Sequence, residues 1–298
     1  MKKYFLLSTM LLIAMMTQAQ SLKVTPKMAK GDVKNYVCAN EISAAGTNVK
    51  MNFETKCTVT EESATGYVID CKVSNYSSDA AANNMIAHML TISSEVMNNI
   101  NTRVITDKDG KPTGIKNLDE VMKNIKTSAN KIAEELIKSV PQAADVLTKE
   151  QLVEQLMAEM SEDALLKKYD TPTSLFVLNG KTIMTGAQDE YIDNGMKMKR
   201  MYFQSGKDKI TTTASMNMSG EELKKMVIEK VMETAPDQAE MIKQNIDAVM
   251  ASGMLKFSAT EKTNYELSAD GWVKSIQSES EADSMGQKVI GKTTITLK

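Results

Sequence analysis

Histidine is nearly absent from this sequence of 298 residues, with His88 standing alone, and there are only three cysteines, five prolines and one tryptophan. That scarcity excludes much chemistry. A Ser-His-Asp or Cys-His hydrolase needs a histidine base with a nucleophile in reach, and no nucleophile-elbow pattern accompanies His88. His88 falls instead on the apolar side of a helical stripe beside Met85 and Met89, where a structural histidine sits. One histidine and three scattered cysteines lack zinc-ligand spacing. The carboxylate pairs Glu61-Glu62, Glu134-Glu135 and Glu221-Glu222 are sequence neighbours at turns or helix faces. They are not two groups converging across a cleft, as glycoside hydrolysis requires. No catalytic residue, metal site or cofactor is therefore assigned, and an enzyme is not expected.

Charge of one sign is also missing. Lys plus Arg number 36 and Asp plus Glu 38, and the two signs alternate along the chain. The lack of a basic tract argues against nucleic acid and against electrostatic membrane attachment, and neither is expected as a partner. Long apolar runs are confined to the start. Lys2 and Lys3 precede an apolar stretch from Phe5 to Met16, and Thr17-Gln18-Ala19 reads as a cleavage site, the layout of a signal peptide over 1–19. The stretch is shorter than the roughly 20 residues that span a bilayer. No cysteine near the cleavage site is available for acylation, and no transmembrane segment is expected later. The expectation is an exported protein, periplasmic or extracellular. Loss of Lys2 and Lys3 takes the formal charge from −2 to about −4.

The cysteines Cys38, Cys57 and Cys71 are odd in number, so at least one is free or pairs between chains. Cys57 and Cys71 flank a turn at Glu61 to Gly66 and are candidates for a cross-strand disulfide, which suits an oxidising compartment. The other reading makes all three small buried apolar residues.

What the sequence does have is period. Met51, Phe53, Thr55, Cys57 and Val59 alternate with polar residues, and Tyr67, Ile69, Cys71 and Val73 repeat the pattern, so Val33 to Ser74 reads as a three-stranded meander. A helix is expected over about Ser78 to Asn99, with Met85, Met89 and Ile92 on its stripe. Asp107 to Pro112 reads as a hairpin turn. A calcium loop starting at Asp107 would need Glu where Leu118 stands. The central block from Asn117 to Tyr169 is helical: Leu118, Met122, Ile125, Ala129, Ile132, Leu136 and Val140 recur at steps of three and four. A second helix is capped by Thr148 with Gln151. Leu175 to Leu178 reads as a strand, followed by strands to Met218. Ser219 with Glu222 starts another helical block bearing Leu223, Met226 and Val227. Three strands finish the chain, with turns at Asp270-Gly271 and Met285-Gly286. The run Ser139 to Leu147 echoes Thr234 to Ile242, which raises the option of two related halves, about 20–170 and 171–298, within one domain over 20–298.

Methionine is abundant: 24 in all, 20 of them after the signal. Met196, Met198 and Met201, with Met216 and Met218, have the softness that selects Cu(I), but their spacing is also ordinary strand alternation. The helical methionines either fill an irregular core or line an adaptable apolar pocket. On the second reading the lining candidates are Met85, Met89, Ile92, Met122, Ile125 and Met226.

Lys30-Gly31-Asp32, the hairpin Thr106 to Gly110 running into Ile115-Lys116-Asn117, and the turn Asp270-Gly271-Trp272-Val273 together resemble a family of uncharacterised secreted proteins of Gram-negative bacteria. The layout is similar to the lipoprotein-carrier half-barrel, a strongly curved antiparallel sheet wrapped around helices that holds acyl chains. The expected fold is thus α+β: a curved antiparallel half-barrel around two helical blocks. The resemblance implies a lipid or another apolar ligand between sheet and helices. The alternative is an envelope protein that binds another protein and no small molecule.

Overall fold

The computed structural model describes residues 21–44, 46–79, 101–139, 148–158, 160–193, 196–234, 243–248, 257–284 and 287–298. The expected signal peptide over 1–19, the helix expected to carry Met85, His88, Met89 and Ile92, and nearly all of both echoed segments lie outside them.

The period-two stretches become strands. β1 (Leu22–Lys23) lies outside the large sheet and pairs antiparallel with a strand at Thr182–Ile183. β2 (Val33–Ala44), β3 (Thr47–Glu62), β4 (Gly66–Ser78), β5 (Asn101–Asp107) and β6 (Pro112–Ile115) form one antiparallel meander. After β7 (Thr182–Ile183), a second meander runs through β8 (Gln188–Asp193), β9 (Met196–Ser205), β10 (Lys209–Met216), β11 (Phe257–Leu267), β12 (Val273–Ser284) and β13 (Gln287–Leu297). The runs join where β2 pairs with β13, Cys38 opposite Ile295. The result is one eleven-stranded antiparallel sheet, open at β6 and β8. Bulges within the β3–β4, β5–β6 and β11–β12 pairings add local bend and twist.

Alternation assigns the faces. Tyr36, Cys38, Cys57, Val59, Ile69 and Val104 are buried, whereas Val37 on the opposite face is 40% exposed. Buried residues of both meanders gather in one core with Phe176, Val177 and Leu178. Here the structure corrects the strand expected at Leu175 to Leu178: the segment is a run of turns that plugs the core. Its amides bond locally, Ser174 to the Thr171 carbonyl, Asn179 to Phe176 and Lys181 to Leu178. Phe176 N–H donates to Ser174 Oγ. A short apolar run looks the same in a buried strand and in a buried plug, because both lack an exposed face.

The plug is tied to its surroundings at several points. Tyr265 Oη donates to the Pro172 carbonyl, and Asn179 Nδ2 to the Gly110 carbonyl at 3.0 Å. Gly110 sits in the hairpin read from the sequence, with Asp107 Oδ1 accepting the amides of Asp109 and Lys111. Its φ of 80° is open mainly to glycine, and a Cβ there would meet Met28 and Pro26 at 2.9 Å. Trp272, placed by the Asp270-Gly271 turn, is buried, and its Nε1 donates to the Lys27 carbonyl.

Three helices follow β6: α1 (Leu118–Ser139), α2 (Lys149–Ala158) and α3 (Glu162–Lys167). The capping box at α2 forms as read, Gln151 N–H to Thr148 Oγ1 and Thr148 N–H to Gln151 Oε1. Ala129 of the α1 stripe and Ala133, four residues on, pack against Val153 of α2. Val121 packs with Leu165 of α3 and Ile115 of β6. Glu162 Oε1 accepts the Ile115 amide and ties α3 to the edge of the sheet. Farther on, α4 (Gly220–Thr234) carries the second capping box, Ser219 with Glu222.

In the second meander the same sheet face turns polar. Arg200, 1% exposed, makes a bidentate pair with Asp189, Nε to Oδ1 at 2.9 Å and Nη2 to Oδ2 at 2.8 Å. Tyr202 Oη and Lys181 Nζ also donate to Asp189 Oδ2. Burial alone would raise the Asp189 carboxyl, but these donors hold it well below the usual carboxylate range. The methionines weighed as copper ligands lie nearby. Met198 is buried with Ala214 and Ala259, and Met196 and Met216 pack against them. That is apolar packing.

Candidate functional site

The two halves of the sheet use this face differently, and the difference creates a site. Under β3–β6 the α1 stripe does not close onto the strands. A cavity of about 390 Å³ remains, within the range of about 300–1,000 Å³ usual for small-molecule sites. Thr55, Cys57, Cys71, Val73, Thr102 and Ile115 form the sheet wall. Val121, Ile125, Ser128, Ala129 and Ile132 of α1 form the opposite wall. Leu156, Met160 and Leu165 extend it, and Tyr169, just after α3, closes one end with Leu175 and Phe176 of the plug. The lining residues open to solvent are Leu156 and Lys168, which therefore mark the mouth.

Most polar groups in the wall are already engaged. Ser128 Oγ donates to the Asn124 carbonyl at 2.7 Å, and Ser174 Oγ accepts the Phe176 amide. Thr55 Oγ1 lies 3.8 Å from Cys38 Sγ. The Tyr169 hydroxyl is bonded to Thr102, and burial keeps it protonated far above its ordinary range. Lys168 stays open to solvent at the rim, but the packing around it removes part of its hydration and lowers its pKa. Among the described residues no three His, Cys, Asp or Glu side chains converge as a metal site. The wall offers apolar contact.

The sequence-derived lining candidates fall in different places. Ile125 is in the wall. Met122, on the same helix, packs with Ile115, Val121 and Leu165 instead. Met226 is half-buried on α4 and is not among the described lining residues. Met85, Met89 and Ile92 lie outside the described residues. In the described wall Met160 is the one methionine; β-branched, leucine and aromatic side chains do most of the lining. The sheet wall was not read as a site, although the alternation of Thr55 with Cys57 placed both on one face. Lys168 and the plug residues carried no sequence signal, because only tertiary packing brings them to the mouth and the end.

Cys57 and Cys71 stand directly opposite each other in the β3–β4 register, Sγ atoms 3.6 Å apart. Opposed residues on antiparallel strands have Cα atoms about 4.5–5.5 Å apart, inside the disulfide range of about 4.4–6.8 Å. Contact with the Cys57 thiol, together with burial, pushes the Cys71 thiol well above its ordinary value. Burial raises Cys38 to about 11. Mild thiol–disulfide exchange is expected to join Cys57 to Cys71 and leave Cys38 reduced. Alkylation with peptide mapping checks this: a Cys38 adduct with both other thiols blocked is the expected pattern, and three modified cysteines would contradict it.

No protein-family model matches the chain, and no curated protein matches its sequence. In fold it is similar to lipovitellin, in a solved structure described as "lipid-protein interactions in lipovitellin", at 9% identity and a TM-score of 0.39. The match covers 91% of this chain and 25% of that one, so the chain spans about a quarter of the length of that protein. A likeness this slight transfers neither ligand nor function. Among the described residues no helix is long and apolar enough to cross a membrane.

Proposed function

We propose that this is an exported, non-enzymatic protein that holds an apolar chain, such as an acyl group, between β3–β6 and α1–α3. The carrying observation is the cavity itself: a space of about 390 Å³ between sheet and helices, walled mainly by apolar side chains. Close-packed interiors seldom leave voids larger than a water molecule. Water gains little in such a space, since it needs two to four polar partners. An apolar chain gains about 0.8 kcal/mol for each methylene it buries.

Calorimetric titration with straight-chain ligands of increasing length tests this directly. Affinity is expected to rise roughly fourfold per added methylene until the cavity is full, and then to level off. A flat dependence on chain length, or no binding at any length, would sink the proposal. In that case the protein-binding reading takes its place, and pull-downs from envelope extracts become the relevant assay.

A further inference from the structure

The mouth of the cavity carries information about the other end of the ligand. Lys168 is the one charged side chain among the described lining residues. Among the described residues no carboxylate lies within ion-pair distance of it; Glu162, at the start of α3, is committed to the Ile115 amide. Burial lowers its pKa, with no opposing charge to raise it. The hydroxyls of Ser128, Ser174 and Tyr169 already have partners within the protein. An ammonium is a compact point charge with three rotatable donors. At the edge of an apolar space, what it lacks is one anion.

We infer that the ligand is a chain ending in a single negative charge, a long-chain carboxylate, with its tail in the cavity and its head on Lys168. This rests on the reading of the cavity as an apolar-chain site and adds the head group to it. A neutral head can accept a hydrogen bond from the ammonium but leaves its charge uncompensated. A cationic head meets the lysine and is repelled. A head carrying two negative charges keeps one of them uncompensated by any described lining residue.

The test compares three ligands with the same tail and different heads: lauric acid, lauryl alcohol and laurylamine. Each is titrated into the wild-type protein and into Lys168→Met and Lys168→Glu. Wild-type protein is expected to bind the acid about tenfold more tightly than the alcohol, as for a charge-assisted bond partly open to water, and the amine most weakly. In Lys168→Met the preference for the acid disappears while the alcohol binds as before, which also shows that the variant is folded. In Lys168→Glu the order of acid and amine reverses. Equal binding of all three heads to the wild type, or an acid preference that survives Lys168→Met, overturns the head-group assignment but leaves the cavity reading standing. Binding of none of the three overturns the cavity reading itself.

Discussion

Asp189→Ala is expected to destabilise the fold by about 3 kcal/mol, the low end for breaking a buried ion pair. The side chain of Arg200 is 1% exposed and that of Asp189 32%. Removing the carboxylate therefore strands a guanidinium that has lost its bidentate partner, while Arg200 Nη1 is already unpartnered. Tyr202 loses its acceptor in the same step, and Lys181 its closest one. Replacing both charged residues by apolar ones of similar size costs much less, because nothing charged is left behind. Urea unfolding of the single and double variants measures the difference. The pH dependence follows from the direction of the shift. The Asp189 pKa is depressed in the folded state, so its contribution is complete above the unfolded value of about 3.9 and is lost as pH falls through the lower folded value. The gap between wild type and Asp189→Ala should therefore narrow in acid. A constant gap would mean that lost packing, not charge, causes the destabilisation.

Ile125→Trp is expected to weaken binding of an apolar chain roughly two-hundredfold. Ile125 faces the cavity from α1, and the indole would take the space of about four methylenes, or about 3 kcal/mol of lost burial. Because Ile125 is only half-buried, the fold should tolerate the change. Val73→Trp fills the same space from the sheet side and serves as the second variant should α1 be disturbed. Unchanged melting with lost binding is the predicted outcome for either. Full affinity in two folded variants would place the ligand elsewhere.

These two positions differ in how far the sequence alone exposes them. Ile125 lies on a stripe with steps of three and four, so its direction follows from helical geometry. Both capping boxes, the Asp107 hairpin and the Asp270-Gly271 turn are likewise local: the residues that make them are neighbours in the chain. Asp189 and Arg200 gave no such signal. Their pairing requires β8 and β9 to be in register, with Asp189 opposite Arg200, which alternation permits but does not specify. The pairing of β2 with β13, which fuses the two meanders, joins residues at opposite ends of the chain and leaves no local trace. Leu175 to Leu178 was misread as a strand because a fully buried run shows no period. The cavity follows the same rule. Its α1 wall follows from the stripe, whereas its mouth at Lys168 and its end at Phe176 exist only once α3 and the plug are packed.

The central claim is that the space beneath β3–β6 holds an apolar chain. Native mass spectrometry tests it most directly, on protein produced in cells and purified without detergent. The predicted result is a reproducible extra mass that organic solvent releases and that Ile125→Trp lacks. A bare protein mass for the wild type, together with failure to take up added long-chain ligands, would contradict it.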